Sequence, residues 1–401
     1  MRLSFYFREL RASGGKTVGV SILKALAERS WPHEITAYVP DDPDYKIFSG
    51  SAIRIVAGRN IGGSYHIFAH RSLRNILKKD KQDAIFMLGN LGLFHSPCPQ
   101  AVFIHNAYFL YSDSLAWKRL SLNQLLYVST WGWLVKRWLK QADIVVSQTP
   151  VMLHRLNKLC HIPYEKMFLL PPSCTPLNFP EYAESSQLSI IHRTTCKFKI
   201  LYIARYMPHK NLDILLQVAD KLIEIGRDDF EIFVTISPEH GMAARRFLSQ
   251  MRKGRKEKII YNLGEISMAN VNFCYKAADV LLMPTLLESF CIPYLDAMYA
   301  GIPIITSDLD FAHIVCGEAA LYVDPLDPVG IISALIRMKE DGDMRRRLSV
   351  IGKERAKSLF LSWNDIADKM IMILEHIAQA KKLPNVLEEP WMKQLQTSKI
   401  I

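Results

Sequence analysis

Ala278-Asp279-Val280-Leu281-Leu282-Met283-Pro284-Thr285 opens the most informative stretch of the 401-residue chain. It reads as a short buried strand with its exit turn. Leu286-Leu287-Glu288-Ser289-Phe290-Cys291-Ile292 follows as a loop, and Pro293-Tyr294-Leu295-Asp296-Ala297-Met298-Tyr299-Ala300 as a two-turn helix closed by Gly301. Proline is favoured at the start of a helix and glycine just past its end. The helix start at 291–294 offers unpaired N–H groups and partial positive charge, which suit an anion such as a diphosphate. Glu288 precedes that anion site and Asp296 sits one turn inside the helix. Either acid can accept paired hydrogen bonds from sugar hydroxyls, and either alone reads equally as a solvated surface acid.

Working outward, Ile200-Leu201-Tyr202-Ile203-Ala204-Arg205 reads as a strand ending at Arg205, followed by Tyr206-Met207-Pro208-His209-Lys210-Asn211. Asn211 is expected to N-cap an amphipathic helix over 212–225, stopped by Gly226. Arg205 and Lys210 then flank one strand-to-helix turn, where two cations can neutralise a leaving diphosphate. Near the N-terminus, Arg11-Ala12-Ser13-Gly14-Gly15-Lys16-Thr17 follows a first strand. Gly14-Gly15 lets backbone approach a ligand closely, or is a plain tight turn. Leu10 stands where a Walker loop needs glycine, and no G-x-G-x-x-G is present. His105 ends the strand Ala101-Val102-Phe103-Ile104 and is expected at a strand's carboxyl end, a functional or a structural histidine.

The remaining pattern repeats this theme. Apolar runs at 2–7, 34–39, 84–88, 101–105 and 143–147 read as strands, as do 199–204, 230–236, 258–262, 279–283, 303–306 and 320–323. Alternation with amphipathic helices argues for parallel α/β architecture. One core rarely grows past ~250–300 residues, so the length implies two domains. Residues 171–198 carry four prolines and read as the connection. The domains are expected at 1–178 and 179–375, with 376–401 as a tail helix returning to the first. Two doubly wound sheets facing across a cleft would bind ligand between them.

Apolar residues form 49% and charged residues 22% of the chain, ordinary for a globular protein. No run approaches the ~18 apolar residues of a membrane span, and residues 2–7 read as a strand rather than a leader core. Seven scattered cysteines form no C-x-x-C or Cys/His cluster, so neither zinc nor a disulfide framework is indicated. The net charge of +11 is lopsided: residues 1–180 hold 22 Lys/Arg against 11 Asp/Glu, and 181–401 hold 28 against 28. The first half is therefore expected to meet something anionic.

Taken together, these residues resemble the retaining glycosyltransferases of family 4, the glycosyl transferases group 1, which have the GT-B fold of two Rossmann-like domains. Glu288 through Asp296 looks like the family's E-x(7)-E element, and Arg205 with Lys210 its Arg-x(4)-Lys element. Gly14-Gly15, His105, Gln148-Thr149 and Ser362-Trp363 fall at further family positions. The resemblance implies that Arg205 and Lys210 hold the donor diphosphate. Glu288 would contact the transferred sugar with the backbone N–H groups of Ser289, Phe290, Cys291 and Ile292, and Asp296 the ribose. Gly14 and Gly15 would approach the distal phosphate, and His105 the reacting sugar. It further implies a hexose donor carrying GDP or UDP, retention of configuration, no metal and no cofactor. The acceptor would be a glycan or lipid-linked molecule of cell-surface polysaccharide or lipopolysaccharide synthesis, on the cytoplasmic side. A silent nucleotide-sugar-binding subunit and a GT-B epimerase are the alternatives. Two departures stand out: Asp296 is shorter than the family's glutamate, and Cys291 often gives way to glycine. An ordinary backbone φ is expected at Cys291.

Residues 117–141 hold four tryptophans, five Lys/Arg and no acid. They read either as a helix for an anionic membrane surface or as one packed on the sheet with a solvated basic face. Nucleic acid is not indicated, since no helix-turn-helix, zinc finger or RNA-binding aromatic signature is present.

Overall fold

The computed structural model describes residues 1–11, 13–58, 66–174, 190–193 and 197–397. It divides into two compact units, Met1–Ser112 with Leu122–Ser173 and Leu361–Ile401, and Asp113–Ser121 with Cys174–Phe360. The first unit therefore regains the chain at residue 361, fifteen residues earlier than a tail beginning at 376 would have it. The first unit ends at Ser173, and part of the expected connection, 175–189 and 194–196, lies outside the described residues.

The first unit holds a seven-stranded sheet of β1 (Arg2–Tyr6), β2 (Glu34–Pro40), β3 (Arg54–Gly58), β4 (Ala84–Met87), β5 (Gln100–Ile104), β6 (Ile144–Ser147) and β7 (Met167–Leu169). Its spatial order is β3-β2-β1-β4-β5-β6-β7, parallel throughout. The second holds β8 (Phe198–Tyr202), β9 (Phe230–Val234), β10 (Ile260–Asn262), β11 (Val280–Met283), β12 (Ile304–Ser307) and β13 (Ala320–Val323). Their order is β10-β9-β8-β11-β12-β13, also parallel. The central strands are buried along their whole length, as helices on both faces of a parallel sheet require. β3 and β7 were not expected. Both are edge strands, one half-exposed and one only three residues long, so neither carries a strong apolar pattern.

Each sheet starts in its middle and runs outward twice. Strand order reverses between β1 and β4 in one unit and between β8 and β11 in the other. Loops leaving such a pair turn to opposite sides and open a crevice at the strands' carboxyl ends.

The returning segment has a well-defined start. Ser362 N-caps the helix Trp363–Ala378: its Oγ accepts from the Asp365 N–H at 3.1 Å, and the Asp365 carboxylate accepts from the Ser362 N–H at 2.9 Å. The helix is held in the first unit by Arg29–Asp368 at 2.7 Å and His33–Glu375 at 2.6 Å.

In the second unit the exits of β8 and β11 are zipped together. The Leu286 N–H donates to the His209 carbonyl at 2.7 Å. Asn211 is not the expected N-cap, because the helix Ile214–Glu224 begins later, after Asp213. It ends the single turn Pro208–Lys210 at φ 54°, where asparagine is tolerated better than most residues. Its side chain is 5% exposed, and Nδ2 donates to the Pro284 carbonyl at 3.0 Å and the Pro325 carbonyl at 2.7 Å. Replacing Asn211 by alanine strands two buried carbonyls and adds left-handed strain, so a loss of ~2–4 kcal/mol is expected in urea unfolding. Asn211→Gly relieves the strain alone and is expected to lose less. Equal, near-zero effects of both changes would show that the tie contributes nothing.

Candidate functional site

The zipped exits carry the charged residues. Lys210 Nζ lies 2.6 Å from Glu288 Oε1, with side chains only 16% and 8% exposed. Burial opposes the ammonium charge, but the carboxylate more than offsets it and holds the Lys210 pKa above its ordinary value. The buried Tyr202 hydroxyl donates to the Lys210 carbonyl and fixes the turn from beneath. On the other loop, Ser307 Oγ donates to the Thr285 carbonyl at 2.5 Å and Ser114 Oγ to the Leu286 carbonyl at 2.9 Å. The lysine and glutamate therefore meet on backbone tied from several sides.

Arg205 lies three residues past the end of β8 and is partly exposed. Among the described residues it makes no hydrogen bond or ion pair, and its guanidinium stands near His240. That ring accepts at Nδ1 from the N–H groups of Tyr206 (3.3 Å) and Ser237 (3.2 Å). Burial, then Arg205, lowers the His240 pKa, so the ring stays neutral beside the cation.

Helix Ile292–Ala300 begins immediately after this loop and ends at Gly301 in the left-handed region. Its register is set by Tyr294, whose hydroxyl bonds Thr306 Oγ1 at 2.6 Å, while Thr306 Oγ1 donates to the Met283 carbonyl at 3.0 Å. Asp296 is 4% exposed and Glu288 8%, so neither is a solvated surface acid. Phe290 is fully buried and packs edge-on against Phe360, which leaves only its backbone for a ligand. Ser289 and Ile292 are partly open.

Cys291 corrects an expectation. It adopts φ 69°, ψ 79° as the residue before the helix. A non-glycine side chain is disfavoured there, which accounts for glycine as the frequent alternative. Its thiol is buried, and burial, with the nearby Glu288, pushes its pKa well above the ordinary value.

The first unit repeats the construction at its own reversal point with neutral groups. Asn90, at φ 65° past β4, accepts at Oδ1 from the N–H groups of His105 and Asn106, both at 2.8 Å. Its amide oxygen thus occupied, the Nδ2 group faces His105 Nε2 at 3.1 Å. Nε2 must accept, and the imidazole proton resides on Nδ1. Burial lowers the His105 pKa to about 4, against a weaker pull upward from Glu9. Glu9 crosses close to Gly89, where any side chain would collide with it at 2.3 Å. Gly14 and Gly15 do not form a loop. They lie in the first turn of helix Ser13–Ala27, at ordinary φ, where N–H groups lack intrahelical partners. Thr149 N-caps helix Pro150–Cys160, and Gln148 beside it is buried.

The structure thus gathers Arg205, Lys210, Glu288, Cys291 and Asp296 around one reversal point, and His105 with Gly14-Gly15 at the other unit's strand ends. Asn90, Tyr202 and Tyr294 were not foreseen, and Asn211 was foreseen only as a helix cap. Asn90 alone had a signal, the Gly89-Asn90 turn directly after a strand.

Comparison with known proteins bears on the fold that carries these residues. Residues 197–341 match the family model described as Glycosyl transferases group 1. That segment is similar to the group 1 glycosyl transferases. Sucrose-phosphate synthase from Thermosynechococcus elongatus has the same fold, with a TM-score of 0.72 at 17% identity, covering 95% of this chain and 100% of that one. Anabaena HepE, solved with UDP-glucose, gives 0.70 at 14% identity, covering 94% and 99%. The architecture is therefore GT-B. Among curated relatives, O-antigen chain mannosyltransferase B of Escherichia coli is 23% identical over 235 residues, 58% of this chain and 60% of that protein. The chain spans about half to three fifths of the length of the curated relatives it matches. The matched group 1 segment contains Arg205, Lys210, Glu288, Cys291 and Asp296, but not His105 or Gly14-Gly15.

Two outcomes are expected. Cys291→Gly removes ~1–2 kcal/mol of left-handed strain while losing a small buried side chain, so the urea midpoint should barely move. Cys291→Val adds branching at the same φ and should cost ~2 kcal/mol or more; equal stability of the two variants would contradict the strained backbone. Secondly, the unfolded chain binds a proton at His105 near pH 6.5 and the native one only near 4. The unfolded state then holds more protons, so stability rises with pH across this window and falls on acidification. His209, lowered to about 3 by burial and by Lys210, adds to the same slope. Urea titrations between pH 7 and 4.5 should show His105→Gln flattening the dependence by up to ~1.4 kcal/mol per pH unit; an unchanged slope would place the proton elsewhere.

Proposed function

We propose that this protein is a glycosyltransferase that moves a hexose from a nucleoside diphosphate sugar to a glycan or lipid-linked acceptor, with retention of anomeric configuration. The observation that carries the reading is the convergence of Arg205, Lys210, Glu288 and the start of helix Ile292–Ala300 at the reversal point between β8 and β11. Two cations and a helix N-terminus make an anion site, and a diphosphate has the charge to fill it. A carboxylate held inside that site supplies the hydrogen-bond acceptors that sugar hydroxyls need.

Arg205 and Lys210 are assigned to the diphosphate, Glu288 to the transferred sugar, Asp296 to the ribose. The N–H groups of Ser289, Phe290, Cys291 and Ile292 are assigned to donor oxygens. In the first unit His105 serves the reacting sugar through its Nδ1–H, and Gly14 and Gly15 serve a phosphate through backbone N–H. As the bond from C1 to the diphosphate oxygen breaks, the acceptor oxygen bonds C1 on the same face. The acceptor's proton passes to the departing diphosphate. Arg205, Lys210 and the helix dipole stabilise the charge that develops there, so the reading needs no metal. HepE, solved with UDP-glucose, and the O-antigen mannosyltransferase support a nucleotide-sugar donor and a surface-polysaccharide acceptor, respectively.

Incubating the protein with a panel of GDP- and UDP-hexoses, with and without EDTA, should release one nucleoside diphosphate slowly in either condition. Arg205→Ala and Glu288→Ala should each lower the rate by roughly 10²-fold or more, the scale of losing one charge-stabilising group. Tight donor binding with no release, unaltered by either change, would favour a silent nucleotide-sugar-binding subunit. Loss of activity with EDTA would remove the metal-free step.

A further inference from the structure

The helix Leu122–Leu139 leaves a large apolar stripe uncovered. Val128, Gly132, Val135 and Leu139 are its buried face. Gly132 lets it approach the turn Ala107–Phe109, where a Cβ would lie 3.4 Å from the Phe109 ring. That turn follows His105 by one residue, so the helix covers the carboxyl edge of the first sheet. About a third of a turn round from the buried face, Leu122, Leu126 and Trp133 fall on one line, 72%, 58% and 63% exposed, with Leu125 beside them. Single exposed leucines are ordinary, but four large apolar side chains along three turns are not.

The same line continues into Arg137, Lys136 lies alongside, and Lys140 directly follows the last helical residue. The Arg137 guanidinium reaches to 5.9 Å from the centre of the Trp133 ring, which keeps tryptophan and cation side by side. No acid occurs between Asp113 and Asp143, a stretch that holds five Lys/Arg. Glu9 acts on the Tyr127 hydroxyl, on the flank turned away from this line. Apolar side chains at one end, cations at the other and tryptophan between them are the pattern of a helix lying in a lipid interface.

We infer that this face docks on the surface of an anionic lipid bilayer, seating Leu122, Leu126 and Trp133 among the acyl chains and Lys136, Arg137 and Lys140 on the headgroups. A second copy is the poorer occupant, because identical faces would bring like charges together. Docking would set the His105 edge of the first sheet close to the bilayer, within reach of an acceptor anchored there. The inference concerns docking without turnover, so it stands or falls separately from the transferase reading.

Co-sedimentation of the full chain with phosphatidylglycerol–phosphatidylcholine vesicles and with pure phosphatidylcholine vesicles tests it. Binding should require the anionic lipid and weaken as salt rises. Trp133→Ser should weaken it about tenfold, and neutralising Lys136, Arg137 or Lys140 about fivefold each, while Lys253→Glu on the second unit should leave it unchanged. These side chains are largely solvent-facing, so thermal unfolding midpoints of the variants should match the parent. The inference is overturned if neither vesicle binds, or if Trp133→Ser and the charge changes leave binding unaltered. It is overturned equally if the lipid-free chain is a dimer that Trp133→Ser dissociates.

Discussion

The contact on which the second unit's gathered charges depend is a plain backbone hydrogen bond, Leu286 N–H to His209 carbonyl, with the Asn211 amide beside it. β8 and β11 are neighbours, yet the chain leaves them toward opposite sides of the sheet. Nothing in that topology alone would keep their loops in contact. The zipper does so, and only then can Lys210 and Glu288 sit 2.6 Å apart, both largely buried. A buried pair of this kind gains little over apolar packing, and breaking one partner costs ~3–5 kcal/mol. Its worth therefore lies in what it holds ready. A cation and a carboxylate, both desolvated and fixed, can be turned toward a ligand without rearranging backbone.

How legible was this in the sequence? The alternation of apolar runs and helical stretches carries the two sheets, because fully buried parallel strands leave a strong apolar mark. β3 and β7 left none, being short edges. Arg205, Lys210, Glu288 and Asp296 were readable as neighbours of one strand reversal because their spacing places them at strand exits and on the following helix. The supporting residues were not. Asn211 looks like a helix cap in sequence and acts instead as a two-pronged tie, since whether its amide caps or reaches across depends on the neighbouring loop. Cys291 misled for a related reason. A cysteine carries no sign of positive φ, and the demand comes from the tight entry to helix Ile292–Ala300. Gly14 and Gly15, which look like a loop, are simply the first turn of a helix.

The two units use one plan with opposite electrostatics. Both gather side chains where strand order reverses, and both rely on an asparagine in the left-handed region to join two exits, Asn90 in one and Asn211 in the other. In the second unit the joined exits present an ion pair and a further cation. In the first they present a neutral imidazole whose protonation state is set by the same amide that positions it. A neutral ring is a weak anion ligand and a serviceable hydrogen-bond donor, whereas Arg205 and Lys210 donate with a full positive charge and suit an anion.

That division bears on the uneven charge of the chain. The cations assigned to the donor, Arg205 and Lys210, lie in residues 181–401, where Lys/Arg and Asp/Glu balance. The surplus belongs to residues 1–180, whose gathered strand-end groups are glycines, an asparagine and a neutral histidine. An anionic nucleotide therefore does not account for the surplus. Several of the surplus cations, Lys136 and Arg137 on the helix that packs beside the sheet's carboxyl edge and Lys140 directly after it, stand next to uncovered leucine and tryptophan. Charge placed there acts on whatever the surface meets before any sugar is moved. The donor site can be electrostatically complete in one half of the chain while the other half keeps its charge for orientation.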